Sequence, residues 1–223
     1  MALSPLQEIR DRIDHAEGVA RRIPDEVTLI AVSKQQSVEA IEALIAEGQE
    51  EFAENRVQEA QAKWPALRAR YPDLQLHLVG QLQSNKAEEA LALFDTIHSL
   101  DRASLVTALA KAAARLGRTA DCFIQVNIGD EPQKGGCAVA ELPGLLEMAR
   151  AAGLRIYGLM AIPPEGVEPA PYFALLARLA RRHGLTALSM GMSGDFETAI
   201  MCGATHVRIG TALFGARDQG GRP

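Results

Sequence analysis

The chain has 223 residues, 48% of them hydrophobic and 23% charged, with a formal net charge of -5. That length can bury roughly 70% of the unfolded surface around one core, so a single domain over 1–223 is expected. The acidic balance argues against a nucleic-acid or anionic-membrane partner, because counterion release needs a basic face, and no window approaches 18 uncharged apolar residues.

The first residues turn charged by Glu8 without an apolar signal core, which predicts a soluble, cytoplasmic protein and a helix over about 5–22. Eight β-rich runs then alternate with helical stretches, at 27–33, 51–54, 76–79, 96–99, 122–127, 156–161, 187–190 and 206–209. Between them, apolar residues recur at three- and four-residue spacing, as in Val38, Ile41, Leu44 and Ile45, or Leu105, Leu109, Ala112 and Leu116, giving each helix one face for a sheet. Eight βα units without a linker predict a single (β/α)8 TIM-type barrel with an extra N-terminal helix. A doubly wound open sheet is the alternative, since periodicity does not show closure. The basic pairs Arg21-Arg22 and Arg181-Arg182 read as solvated helix ends. Cys122, Cys137 and Cys202 lack CxxC spacing and read as reduced thiols, two of them buried. The five histidines show no metal-ligand spacing. Gly/Pro-rich loops at 129–136 and 163–169 follow the fifth and sixth runs, which puts them at the C-terminal rim of a barrel.

Three places carry chemistry. Lys34 ends the first apolar run, on the same alternating face as Ile30 and Val32. Buried there, its amine loses its proton readily and is free to react with an aldehyde; a rim lysine reaching for water is the other reading. Second, Met190-Gly-Met-Ser193-Gly-Asp195 leads from run seven into a helix over 196–202, with Ser193 or Asp195 as N-cap. Third, Arg208-Ile-Gly210-Thr211 closes run eight. Small residues and hydroxyls after strands seven and eight suit an anion such as phosphate, although an ordinary capped turn explains either loop alone. Barrel closure sets strand eight about 4.8 Å from strand one, so all three would meet. Arg208 would then enter the barrel on the face that Gly210 leaves open and meet the ring of a small bound cofactor, with a salt bridge to a carboxylate as its structural alternative.

With these residues assembled, the sequence resembles the pyridoxal phosphate homeostasis family, related to the barrel domain of alanine racemase. The resemblance runs through Ala31-Val-Ser-Lys34, Glu54-Asn-Arg-Val-Gln-Glu59, His77-Leu-Val-Gly-Gln-Leu-Gln-Ser-Asn-Lys86, Gly158-Leu-Met-Ala-Ile-Pro163, Met190-Gly-Met-Ser193 and Val207-Arg-Ile-Gly-Thr-Ala-Leu-Phe-Gly215. It implies that Lys34 carries pyridoxal 5′-phosphate (PLP) as a Schiff base, that Ser193, Gly210 and Thr211 hold its phosphate, and that Arg208 faces the pyridine nitrogen. Asn55 and Met160 would flank the ring, with a strand-end cap and plain core as their structural alternatives. The chain departs from the family at Gln36, Ala53 and Arg56, where Lys, Gly and Tyr are common. Lys134 aligns with a loop lysine of the family and is either a secondary PLP contact or a solvated side chain.

The implied function is a monomeric PLP carrier and buffer that limits free aldehyde and supplies PLP-dependent apo-enzymes. An arginine at the ring nitrogen keeps it unprotonated and a weak electron sink. A second catalytic base is also hard to place, with only the tail 216–223 beyond the last motif and Tyr172 the one plausible tyrosine. The rival reading is a PLP-dependent racemase or lyase, and a third is a cofactor-free Schiff-base aldolase.

Overall fold

The computed structural model describes residues 3–215. Helix α1 (Pro5–Val19) starts where Ser4 accepts the Gln7 N–H at 3.2 Å and Pro5 supplies a preset φ. Strands β1 (Thr28–Val32), β2 (Glu51–Glu54), β3 (Gln75–Leu78), β4 (Thr96–Leu100), β5 (Asp121–Gln125), β6 (Arg155–Met160), β7 (Ala187–Ser189) and β8 (His206–Ile209) follow in order. Helices α2 (Val38–Ala46), α3 (Val57–Arg70), α4 (Ala87–Leu93), α5 (Ala103–Leu116), α6 (Leu142–Ala151), α7 (Ala170–Arg182) and α8 (Phe196–Met201) alternate with the strands. The short α9 (Thr211–Phe214) ends the described chain.

All eight strands are parallel and in sequence order around a closed barrel. Closure is made by β1 against β8, in the register Thr28 to His206, Leu29 to Val207, Ile30 to Arg208 and Ala31 to Ile209. The open-sheet alternative is thereby excluded. The ring between strands and helices is apolar, with Phe52, Trp64, Phe94, Phe173 and Phe196 fully buried. The interior is different. It stacks His98 on Phe123 at 4.4 Å between ring centroids and sets His77 and His206 edge-on around them.

Each strand lies within two residues of its expected span. The first helix is shorter than expected, ending at Val19, because Arg21 takes a left-handed φ of 55° and turns the chain. Arg22 is consequently no solvated helix end. Its guanidinium is drawn onto the carbonyls of Ala204 and Ile200, and its Nε lies 3.1 Å from Glu26. Arg181 and Arg182 are exposed at the end of α7, as expected. Among the described residues no helix is long and apolar enough to cross a membrane. The expected tail 216–223 lies outside the described residues.

Candidate functional site

The C-terminal ends of β1, β2, β7 and β8 and the loop after β6 enclose a cavity of about 460 Å³. Lys34, Asn55, Ser193, Arg208, Gly210 and Thr211 all line it. Met160 does not: it is fully buried beside Gln125 on β5, so the plain-core alternative describes its place. Gln36 joins the wall, Ala53 is buried in β2 against Val32 and His77, and Arg56 is exposed at the start of α3.

Lys34 stands two residues beyond β1, on the Val32 face, and is half-buried. Across the cavity, the turn between β7 and α8 depends on Gly191, whose φ is +95° and where a Cβ would stand 2.7 Å from the Ala199 methyl. Of the two expected caps, Asp195 holds the position before α8, yet its carboxylate turns back to accept the Met192 N–H at 2.6 Å. Ser193 is thereby left lining the cavity and facing the start of α9, its Oγ 3.5 Å from the Ala212 N–H.

Arg208 is 4% exposed. The alternative reading, a salt bridge to a carboxylate, is not met among the described residues. Its Nη1 donates to Ser189 Oγ at 2.6 Å and its Nη2 to the Ala161 carbonyl at 3.1 Å. Burial lowers its pKa to about 10, partly offset by the charge of Asp195, so the guanidinium keeps its proton at neutral pH.

A carboxylate is present, but at a distance. His98 Nδ1 lies 2.8 Å from Ser189 Oγ, His98 Nε2 lies 2.9 Å from His77 Nδ1, and His77 Nε2 lies 2.6 Å from Glu51. A guanidinium only donates, so Ser189 accepts from Arg208, which leaves its hydroxyl proton available to donate to His98 Nδ1. His98 then donates through Nε2 to His77, and His77 to Glu51. In this assignment the arginine and the carboxylate are joined through Ser189, His98 and His77, and each shared proton has an acceptor. Desolvation first, then the repulsion a proton on His98 would meet from Arg208 and from His77 and His206 when they are protonated, holds the His98 pKa well below the ordinary imidazole range. Burial is also the main cause that brings His206 down to about 4.

Sequence reasoning missed this chain, although period-2 placement of polar residues at His77, His98 and Ser189 was a usable sign of an interior face. It also missed Gly80, where a Cβ would stand 2.1 Å from the Asn55 carbonyl oxygen. That close approach of the β2 and β3 exits fixes Asn55 at the rim.

A side cavity of about 230 Å³ shares Asn55, Val79 and Ile162 with the first and is also lined by Gln81, Gln125 and Lys134. Lys134 is no solvated side chain. Its Nζ lies 2.6 Å from Glu131 and donates to the Pro163 carbonyl at 2.9 Å, tying together the rim loops after β5 and β6. Tyr172 packs against the apolar core from α7 and is not among the residues lining either cavity. Cys122 and Cys137 are buried free thiols, and burial pushes Cys137 up to about 12, which leaves little thiolate. Among the described residues no group of three or more His, Cys, Asp or Glu side chains is placed to hold a metal ion.

The family model described as alanine racemase, N-terminal domain, matches residues 6–218. The pyridoxal phosphate homeostasis protein of Pseudomonas aeruginosa is 41% identical over 223 residues, covering 96% of this chain and 95% of that protein. The structure of PipY from Synechococcus elongatus PCC7942 with PLP bound is 42% identical with a TM-score of 0.76, covering 91% of this chain and 100% of that one. Alanine racemase of Clostridium difficile 630 shares the fold at a TM-score of 0.71 and 14% identity, over 94% of this chain and 56% of that one. The matching barrel and the near-full-length identity agree: this chain belongs to the pyridoxal phosphate homeostasis protein family, built on the N-terminal barrel of alanine racemase.

Proposed function

We propose that this chain is a single-domain PLP-binding protein that acts in PLP homeostasis, holding the cofactor on Lys34 and releasing it to PLP-dependent apo-enzymes. The observation that carries the reading is the convergence of an amine, a buried guanidinium and a hydroxyl-lined turn on one cavity. In this reading Ser193, Gly210 and Thr211 take the phosphate, Arg208 donates to the ring nitrogen, and Asn55 flanks the ring. Gly210 supports the phosphate assignment: its φ of -119° is open to any residue, and a Cβ would come no nearer than 3.4 Å to Val32. No close protein contact calls for glycine here, so the space a Cβ would fill is cavity space.

When bound, PLP supplies a reactive aldehyde and an electron-withdrawing ring. The protein's part is to hold it and to limit its chemistry. Arg208 has protons to give and no lone pair to accept one, and its two bonds to Ser189 and Ala161 aim it across the barrel. A ring nitrogen facing such a group stays unprotonated, which disfavours carbanion chemistry and suits a carrier. The carrier works as a cytoplasmic monomer.

Mixing PLP-loaded protein with single L-amino acids in deuterated water tests the reading. Following Cα exchange by NMR and chirality by chromatography should show at most stoichiometric exchange. Sustained racemisation that vanishes in Lys34→Ala would establish the racemase reading instead.

A further inference from the structure

Outside the barrel wall, directly behind Lys34, lies an ion cluster that the cavity does not include. Lys63 of α3 has a side chain 12% exposed, with Nζ 2.7 Å from Glu54 and 2.9 Å from Glu59. The same ammonium donates to the backbone carbonyls of Ser33 at 3.0 Å and Gln36 at 3.4 Å. Glu59 accepts the Gln35 N–H, and the fully buried Glu54 accepts the Ser33 hydroxyl at 2.8 Å and the Trp64 indole N–H at 3.1 Å. Ser33, Gln35 and Gln36 are thus each bonded to one cluster, and Lys34 lies among them.

Two features distinguish this from a surface ion pair. Glu59 and Lys63 alone would be an i,i+4 helical pair of little consequence, but Glu54 is buried and its charge has no solvent to fall back on. In addition Gln35 holds a left-handed φ of +61°, a conformation unfavourable for a side-chain-bearing residue that persists only where the surroundings impose it. The Gln35 N–H is bonded to the cluster through Glu59.

We propose that Lys63, with Glu54 and Glu59, is a positioning residue for Lys34: it locks the 33–36 turn so that the Lys34 amine meets the cofactor aldehyde at one distance and angle. The inference rests on the reading that Lys34 holds PLP. Attachment joins the Lys34 nitrogen to the aldehyde carbon as C=N while the aldehyde oxygen leaves as water. Release is hydrolysis of the same bond, so neither direction needs an oxidant or reductant. A displaced amine slows both directions and leaves the grip on the phosphate and the ring nitrogen untouched, because those contacts come from the turn after β7 and from β8 with the loop beyond it.

The test uses the full-length, cofactor-free chain and follows attachment of added PLP by near-visible absorption. The variants are Lys63→Met, which keeps the stem and removes the ammonium, and Lys63→Met with Glu54→Gln, which also removes the stranded carboxylate should the first fail to fold. Binding of pyridoxine 5′-phosphate, which has phosphate and ring but no aldehyde, is measured in parallel. Attachment should slow about tenfold or more, with pyridoxine 5′-phosphate affinity within about twofold of wild type. Wild-type attachment rates in either folded variant overturn the proposal, and so do equal losses for both ligands, which would mark the cluster as barrel support. Failure of the wild-type chain to attach PLP at Lys34 would instead remove the underlying reading.

Discussion

Acidification should destabilise this barrel before its lowered carboxylates take up protons. The cause is the buried imidazole layer. His206 is held down to about 4 and His98 lies well below its ordinary value, both mainly by desolvation. The unfolded chain binds these protons near pH 6.5 and the folded chain does not, so stability rises with pH between the folded and unfolded values and is lost as pH falls through that window. For His206 alone, a fall from pH 7 to pH 5 removes about 2 kcal/mol, and His98 adds to it in the same direction. The lowered carboxylates, such as Glu59 and Glu197, give up their contribution only below about pH 4.5, so the window between 5 and 7 belongs to the histidines. Urea unfolding of the cofactor-free chain at the two pH values measures the loss, and His206→Gln should recover about 2 kcal/mol of it. Equal stability at both pH values, or the same loss in the variant, would refute the reasoning.

Three further expectations concern the cavity and the chain beneath it. Thr211→Val or Ser193→Ala should weaken PLP binding by about 1–3 kcal/mol each and leave pyridoxal, which lacks the phosphate, nearly unaffected in the same titration. Gly210→Ala should leave the melting temperature unchanged, since a Cβ there would stand 3.4 Å or more from its protein neighbours. The same methyl should cost PLP affinity, and an unchanged affinity by calorimetry would move the phosphate site elsewhere. Ser189→Ala strands Arg208 Nη1 and His98 Nδ1 together and should cost about 2–3 kcal/mol in urea unfolding; a loss under about 0.5 kcal/mol would show that the hydroxyl does not bridge them.

The strands were legible because each is a short β-rich run followed by an amphipathic helix, and the cavity was legible because Lys34, Ser193 and Thr211 sit at strand ends, where local sequence sets position. What escaped depends on closure. Glu51, His77, His98 and Ser189 belong to four different strands, and only the closed barrel lines them up beneath Arg208. A carboxylate partner for that arginine was the sound electrostatic alternative, but closure brings it Ser189 and the Ala161 carbonyl instead. Lys134 and Arg22 read as solvated because a charged side chain in a loop or at a helix end usually is. Each instead found a carbonyl supplied by a segment distant in sequence. Glu59 and Lys63 look like an ordinary helical pair until β2 brings Glu54 under them.

The most direct test of Lys34 as the attachment point is borohydride reduction of the PLP-treated protein followed by peptide mapping. One phosphopyridoxyl group on Lys34, absent in a folded Lys34→Ala variant, is the expected result. An adduct on Lys63, Lys86 or Lys134 in the wild-type chain, or none at all, would contradict it.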